Sequence, residues 1–139
     1  MDINLHGVVN MTRAFMPYLK DRPEAAIVNT SSIFGMVAVA KQSVYHATKF
    51  AVRGFTESLA KELKDSSVQV HCVHPGHIGT NILSTAKFNE DNEKGPGISL
   101  GLGPKTREEM GDAFKKHGMH PSRAAEIILQ GVKKKKTRI

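Results

Sequence analysis

The stretch Asn29-Thr-Ser-Ser-Ile-Phe-Gly35, followed by Tyr45-His-Ala-Thr-Lys49, decides how the chain is read, because it gathers a hydroxyl, a phenol and an ammonium within one short segment. Residues Ala26 to Ser32 are apolar and β-branched and run through Ser-Ser towards Gly35, the pattern of a buried strand that ends in a loop. Ser32 then stands at the carboxyl end of that strand. From Ser43 onward the apolar spacing turns helical, so Tyr45 and Lys49, four positions apart, project from one helix face and can touch.

That geometry implies a chemistry. A free phenol titrates near about 10 and is a weak acid and base at neutral pH. A cation about 4 Å away stabilises the phenolate by up to ~4 kcal/mol at an effective dielectric near 20, and one pKa unit corresponds to about 1.4 kcal/mol. Lys49 is placed to supply that cation, with Tyr45 as general acid and base and the Ser32 hydroxyl donating to a substrate oxygen whose charge changes. Together the three groups can interconvert a carbonyl and an alcohol. Singly, each has an ordinary reading: a serine closing a strand, a half-buried tyrosine, a lysine in water.

The combination resembles the short-chain dehydrogenase/reductase family. Its Tyr-x-x-x-Lys pair corresponds to Tyr45 and Lys49, and its strand-end serine to Ser32, thirteen positions before Tyr45. Its helix asparagine corresponds to Asn4 in Asp2-Ile-Asn-Leu-His-Gly7, and its Pro-Gly loop to Pro75-Gly-His-Ile-Gly-Thr80. The resemblance implies catalytic roles for Asn4, Ser32, Tyr45 and Lys49, with Asn4 holding a water that links the lysine to solvent. It further implies that Tyr45, Lys49, Pro75, Gly76, Ile78 and Thr80 bind NAD or NADP, the nicotinamide lying against the Pro-Gly loop.

Around this centre the chain alternates helix and strand. Asp2 to Leu19 spaces its apolar residues three or four apart as a helix facing a core, with Pro17 expected to bend or fray the last turn. Asp21-Arg-Pro-Glu24 turns the chain into the first strand. The helix from Ser43 runs to about Lys64, Asp65-Ser-Ser67 forms its exit, and Val68 to His74 makes a second buried strand. This is the repeating unit of an α/β fold with a parallel sheet, in which ligands bind beyond the carboxyl ends of the strands. Ser32 and Pro75-Gly76 both fall at such ends.

Residues 81–120 carry little pattern. Their glycines and prolines between charged stretches read as a mobile substrate lid, with Thr106-Arg-Glu-Glu109 capping a short helix to about Lys116. Gly101-Leu-Gly103 precedes a helix but follows no strand, which argues against a phosphate loop. Pro121-Ser-Arg123 opens the last helix.

Composition narrows the class. The 139 residues, 40% of them apolar, can build one modest core. The net charge is +7, but Lys133 to Lys136 and Arg138 account for five of it and leave +2 elsewhere, a solvated helix end with no interleaved aromatic to stack on bases. Nucleic acid is therefore not an expected partner. No apolar run approaches the ~20 residues that span a bilayer, so no membrane is expected either. The single cysteine, Cys72, lies within a strand pattern and fits a reducing cytoplasm. His74 and His77 lack acidic or cysteine companions at ligand spacing, so no metal is expected.

Against the family pattern, the opening strand, the Gly-x-x-x-Gly-x-Gly loop and a later Asn-Asn-Ala-Gly stretch are missing from these residues, and Met1 aligns with the start of the fifth helix. The expected fold is a partial Rossmann-like three-layer α/β arrangement, the C-terminal portion of one domain without its N-terminal dinucleotide-binding half. Alone, such a chain is expected to hold nicotinamide cofactors poorly or not at all. Two function classes follow: an oxidoreductase acting on a small carbonyl or alcohol, and a non-catalytic remnant acting through its helix surfaces. In the helix from Ser43, Val44, Ala47 and Ala51 suit the sheet, while Val52, Phe55, Leu59 and Leu63 form a second apolar stripe. The resemblance implies homo-oligomers through helices 2–19 and 43–64.

Overall fold

In the computed structural model, residues 1–40, 42–82 and 107–139 are described, those at 107–110 by backbone alone. Two compact units result, one formed by Met1–Gly76 with Glu126–Ile139 and the other by His77–Ala125.

The first unit is built on two parallel strands, β1 (Ala25–Thr30) and β2 (Val68–Val73), in register from Ala25 opposite Val68 to Thr30 opposite Val73. Both are rich in β-branched residues, and the crossover between them is the helix α2 (Ser43–Glu62), the connection that parallel strands require. Side chains of Ala25, Ile27 and Asn29 share one sheet face with Val68, Val70 and Cys72. Ile27, Val68 and Val70 form the buried core there, packed by Met16 and Leu19 of α1 (Val8–Lys20) and by Leu59, Ala60 and Leu63. Cys72 is wholly buried, as its strand position implied. After α4 (Pro121–Lys133) the chain lies alongside β2: Cys72 N–H donates to the Thr137 carbonyl at 2.7 Å, and His74 N–H to that of Ile139 at 2.8 Å. No strand among the described residues pairs with the other edge of β1, where a groove of about 430 Å³ lies between β1 and α1.

The α/β class and parallel sheet expected from the sequence are present. Three local expectations are revised. The segment Asp2–Gly7 is a π-helical turn leading into α1, so the regular helix starts at Val8. Pro17 sits in the last turn of α1, which does not fray there but stays helical to Lys20. Most consequentially, Val44 is 69% exposed and Ala47 is also on the surface, while Thr48, Val52 and Thr56 are the buried face of α2. The threonines can be buried because their hydroxyls are satisfied locally: Thr48 donates to the Tyr45 carbonyl and Thr56 to that of Val52, both at 2.7 Å. Thr56 then accepts from the Asn29 amide of β1 at 3.1 Å, which fixes the rotation of α2 on the sheet.

The C-terminal segment is tied to α2 by charge. Arg138 donates twice to the Glu57 carboxylate, at 2.6 and 2.8 Å, and Arg53 donates to the same group at 2.9 Å. The hydrogen bonds from Arg138, helped by the one from Arg53 and opposed by partial burial, hold the Glu57 carboxyl down to about 2, against a usual value of 4.5. A depressed carboxyl stabilises the fold above its ordinary pKa and loses that contribution as pH falls through its folded value. Glu57→Gln is therefore expected to melt at a lower temperature than the parent at pH 7. The two melting curves should converge as pH is taken from 4.5 towards 2; a gap independent of pH would show that charge is not what Glu57 contributes.

In the second unit, α3 (Arg107–His117) ends where Met119 bridges Ile78, with Gly79 N–H donating to the Met119 carbonyl at 2.9 Å and Met119 N–H to that of His77 at 2.8 Å. The helix expected to reach Lys116 is thus present. Residues 83–106, with Thr106 of the expected cap and Gly101 to Gly103, lie outside the described residues.

Candidate active site

The loop after β1 carries the serines. Ser31 N–H donates to the Val73 carbonyl at 2.8 Å and Ile33 N–H to that of Pro75 at 2.9 Å, so the loops leaving β1 and β2 are joined where both strands end. This places Pro75 beside Ser32. A Cβ added at the neighbouring Gly76 would meet nothing within 4 Å, so space opens there.

Ser32 is buried and caps the short 3-10 turn Ile33–Gly35, its hydroxyl oxygen accepting from Phe34 N–H at 3.1 Å. That bond occupies a lone pair and leaves the hydroxyl proton to donate. The adjacent Ser31 has a different task. Its hydroxyl donates to the Lys49 carbonyl at 2.8 Å, tying the loop to α2. Gly35 allows this approach, since a Cβ there would collide with the Ser31 hydroxyl and lie 2.8 Å from the Lys49 carbonyl oxygen.

Tyr45 and Lys49 share one face of α2, as their spacing predicts. The Lys49 ammonium lies 5.7 Å from the centre of the Tyr45 ring and donates to the Thr30 carbonyl, at the end of β1, at 3.1 Å. Burial pushes the Lys49 amine below its ordinary value, against a smaller opposing effect of the Cys72 thiol. One of its three protons is used by Thr30, which leaves two for a ligand. Tyr45 is 38% exposed, open enough to meet a substrate. Asn4 is exposed on the π-helical turn, which packs against α2; turns of this kind recur at functional positions.

Of the remaining residues singled out in the sequence, Ile78 and Thr80 belong to the second unit, where both are half-buried and the Thr80 hydroxyl accepts from Ile82 N–H at 3.4 Å. Among the described residues no three His, Cys, Asp or Glu side chains gather as a metal site, and no helix is long and apolar enough to cross a membrane.

Two neighbours of the phenol escaped the sequence reading. Phe34 stands edge-on to Tyr45, with ring centres 6.3 Å apart, and His46 is buried beside both. Phe34 could have been noticed as the aromatic two positions after Ser32; His46, on a helix turn between Tyr45 and Ala47, gave no signal.

The family model for short chain dehydrogenases matches residues 1–91. Among curated proteins, the chain is 39% identical over its whole length to SadH of Mycobacterium tuberculosis, of which it spans 47%. Among solved structures it resembles a short-chain dehydrogenase from Streptomyces avermitilis, at 28% identity and a TM-score of 0.70 over 98% of this chain and 48% of that one. It also resembles a 3-oxoacyl-[acyl-carrier protein] reductase with bound NAD from Brucella melitensis, at 43% identity and a TM-score of 0.50 over 57% of this chain and 30% of that one. The chain thus spans about half the length, or less, of the relatives it matches.

Proposed function

The chain belongs to the short-chain dehydrogenase family, and on that premise we propose that it interconverts a small carbonyl compound and its alcohol by hydride transfer with NAD or NADP. The observation that carries the reading is the meeting of Lys49 with both the Tyr45 ring and the end of β1, next to a serine whose hydroxyl proton is free to donate.

The donor set suits a nicotinamide nucleotide: two spare ammonium protons on Lys49 fit the hydroxyls of a ribose, and the open space at Gly76 beside Pro75 fits a flat ring. When bound, such a cofactor supplies or accepts the hydride at the carbonyl carbon. In reduction Ser32 donates a hydrogen bond to the carbonyl oxygen and Tyr45 gives that oxygen its phenolic proton; in oxidation the proton returns to Tyr45. The Lys49 ammonium stabilises the phenolate formed in between. Asn4 serves the return of a proton from solvent through a held water. Pro75 and Gly76 form the nicotinamide side of the site. The buried, single Cys72 suits a cytoplasmic location.

Transfer of deuterium from a cofactor labelled at its hydride position tests the reaction class. Label on the carbinol carbon of the product supports it; reduction that draws that hydrogen from water, or no reduction by any preparation spanning the relatives' full length, contradicts it.

The same reading includes self-association. Met11, Phe15 and Tyr18 of α1 and Val44 and Phe50 of α2 are exposed apolar side chains, more than a small monomer ordinarily shows. Light scattering behind size exclusion at micromolar concentration should return a dimer or larger species. A clean monomer would refute this part.

A further inference from the structure

His46 is 6% exposed and spends both ring nitrogens on the loop that leaves β1. Val39 N–H donates to Nε2 at 3.0 Å, and Nδ1 stands 2.9 Å from the Phe34 carbonyl. A backbone amide can only donate and a carbonyl only accept, so the ring is neutral, with its proton on Nδ1. One imidazole therefore closes the turn from Phe34 to Val39 and clamps it onto the first turn of α2.

The clamp reaches the proposed proton donor through Phe34. The Phe34 ring meets His46 at 5.0 Å and 68° and Tyr45 at 6.3 Å and 87°, both edge-to-face, and its backbone N–H is the donor that orients the Ser32 hydroxyl. Position and tilt of Phe34 are thus shared by Ser32 and Tyr45. Arg53 adds a weaker tie, donating to the Gly35 carbonyl at 3.3 Å.

We propose that His46 is a positioning residue for this site: by bonding both ends of the Phe34–Val39 turn it fixes Phe34, and through Phe34 the ring of Tyr45 and the hydroxyl of Ser32. The functional weight of that role rests on the reading of Tyr45 as proton donor, but the positioning itself can be measured without turnover.

The tautomer can be read in the unaltered chain. By nuclear magnetic resonance at neutral pH the His46 ring should carry its proton on Nδ1, with Nε2 coupled to the Val39 amide across their hydrogen bond. His46→Leu should raise Val39 amide exchange about tenfold and move the Tyr45 ring signals, while His46→Gln restores part of both. Tyr45 ring signals that neither variant moves overturn the proposal, and so does an Nε2–H tautomer in the unaltered chain even if both variants fail to fold. Absence of enzymatic activity would leave these signals unchanged, so the two readings fail separately.

Discussion

Tyr45→Phe is expected to lower carbonyl reduction by about 10²–10⁴-fold, the usual worth of general acid catalysis, in any preparation that turns over substrate. The substitution removes one oxygen from a ring that is 38% exposed, and leaves the edge-to-face contact with Phe34 and the Lys49 bond to the Thr30 carbonyl in place. Cofactor affinity should therefore change little while kcat falls. A rate above about a tenth of the parent's would mean that another group delivers the proton.

Gly35→Ala should have the second largest effect, and for a steric reason. The backbone angle at Gly35 is one any residue can adopt, but a Cβ would run into the Ser31 hydroxyl and stand 2.8 Å from the carbonyl oxygen and 3.1 Å from the carbonyl carbon of Lys49. Neither backbone nor the hydrogen-bonded serine can yield cheaply, so the loop must lift from α2. Overpacking of this kind costs about 1–3 kcal/mol, and here it also separates Ser32 from Tyr45 and Lys49. Thermal unfolding and kcat should both fall, activity by more than stability alone explains. An alanine variant with parental melting and turnover would show that the Ser31 to Lys49 bond is not needed.

The sequence made the carriers of chemistry legible because their signal is local. Tyr45 and Lys49 are four apart on a helix whatever the helix packs against, and the β-branched run before Ser32 ends in a loop under any topology. The packing face of α2 was less legible. Val44 and Ala47 look like core residues and Thr48 and Thr56 like surface ones, yet the threonines return their hydroxyl protons to carbonyls of their own helix and are buried, with Asn29 completing Thr56. An apolar count along the helix cannot register that exchange. The π-helical turn at Asp2–Gly7 was hidden for a related reason, since side-chain periodicity over six residues does not distinguish its hydrogen bonding from that of an ordinary helix. His46 was invisible because both its partners are backbone groups of the preceding loop, which leave no mark on side-chain periodicity.

The central claim is that Ser32, Tyr45 and Lys49 form one site that takes the nicotinamide end of a dinucleotide. Titration of the isotope-labelled chain with NADH and NADPH, followed amide by amide, addresses it most directly. For this chain alone, which spans about half the length of its relatives, binding is expected to be weak or absent, so the shifts are read in a preparation spanning their full length. The shifts should gather at residues 30–35, at Tyr45 and Lys49 and at Gly76, and vanish in Lys49→Ala. Shifts confined to the basic run Lys133–Lys136, or none at millimolar cofactor, would contradict the account.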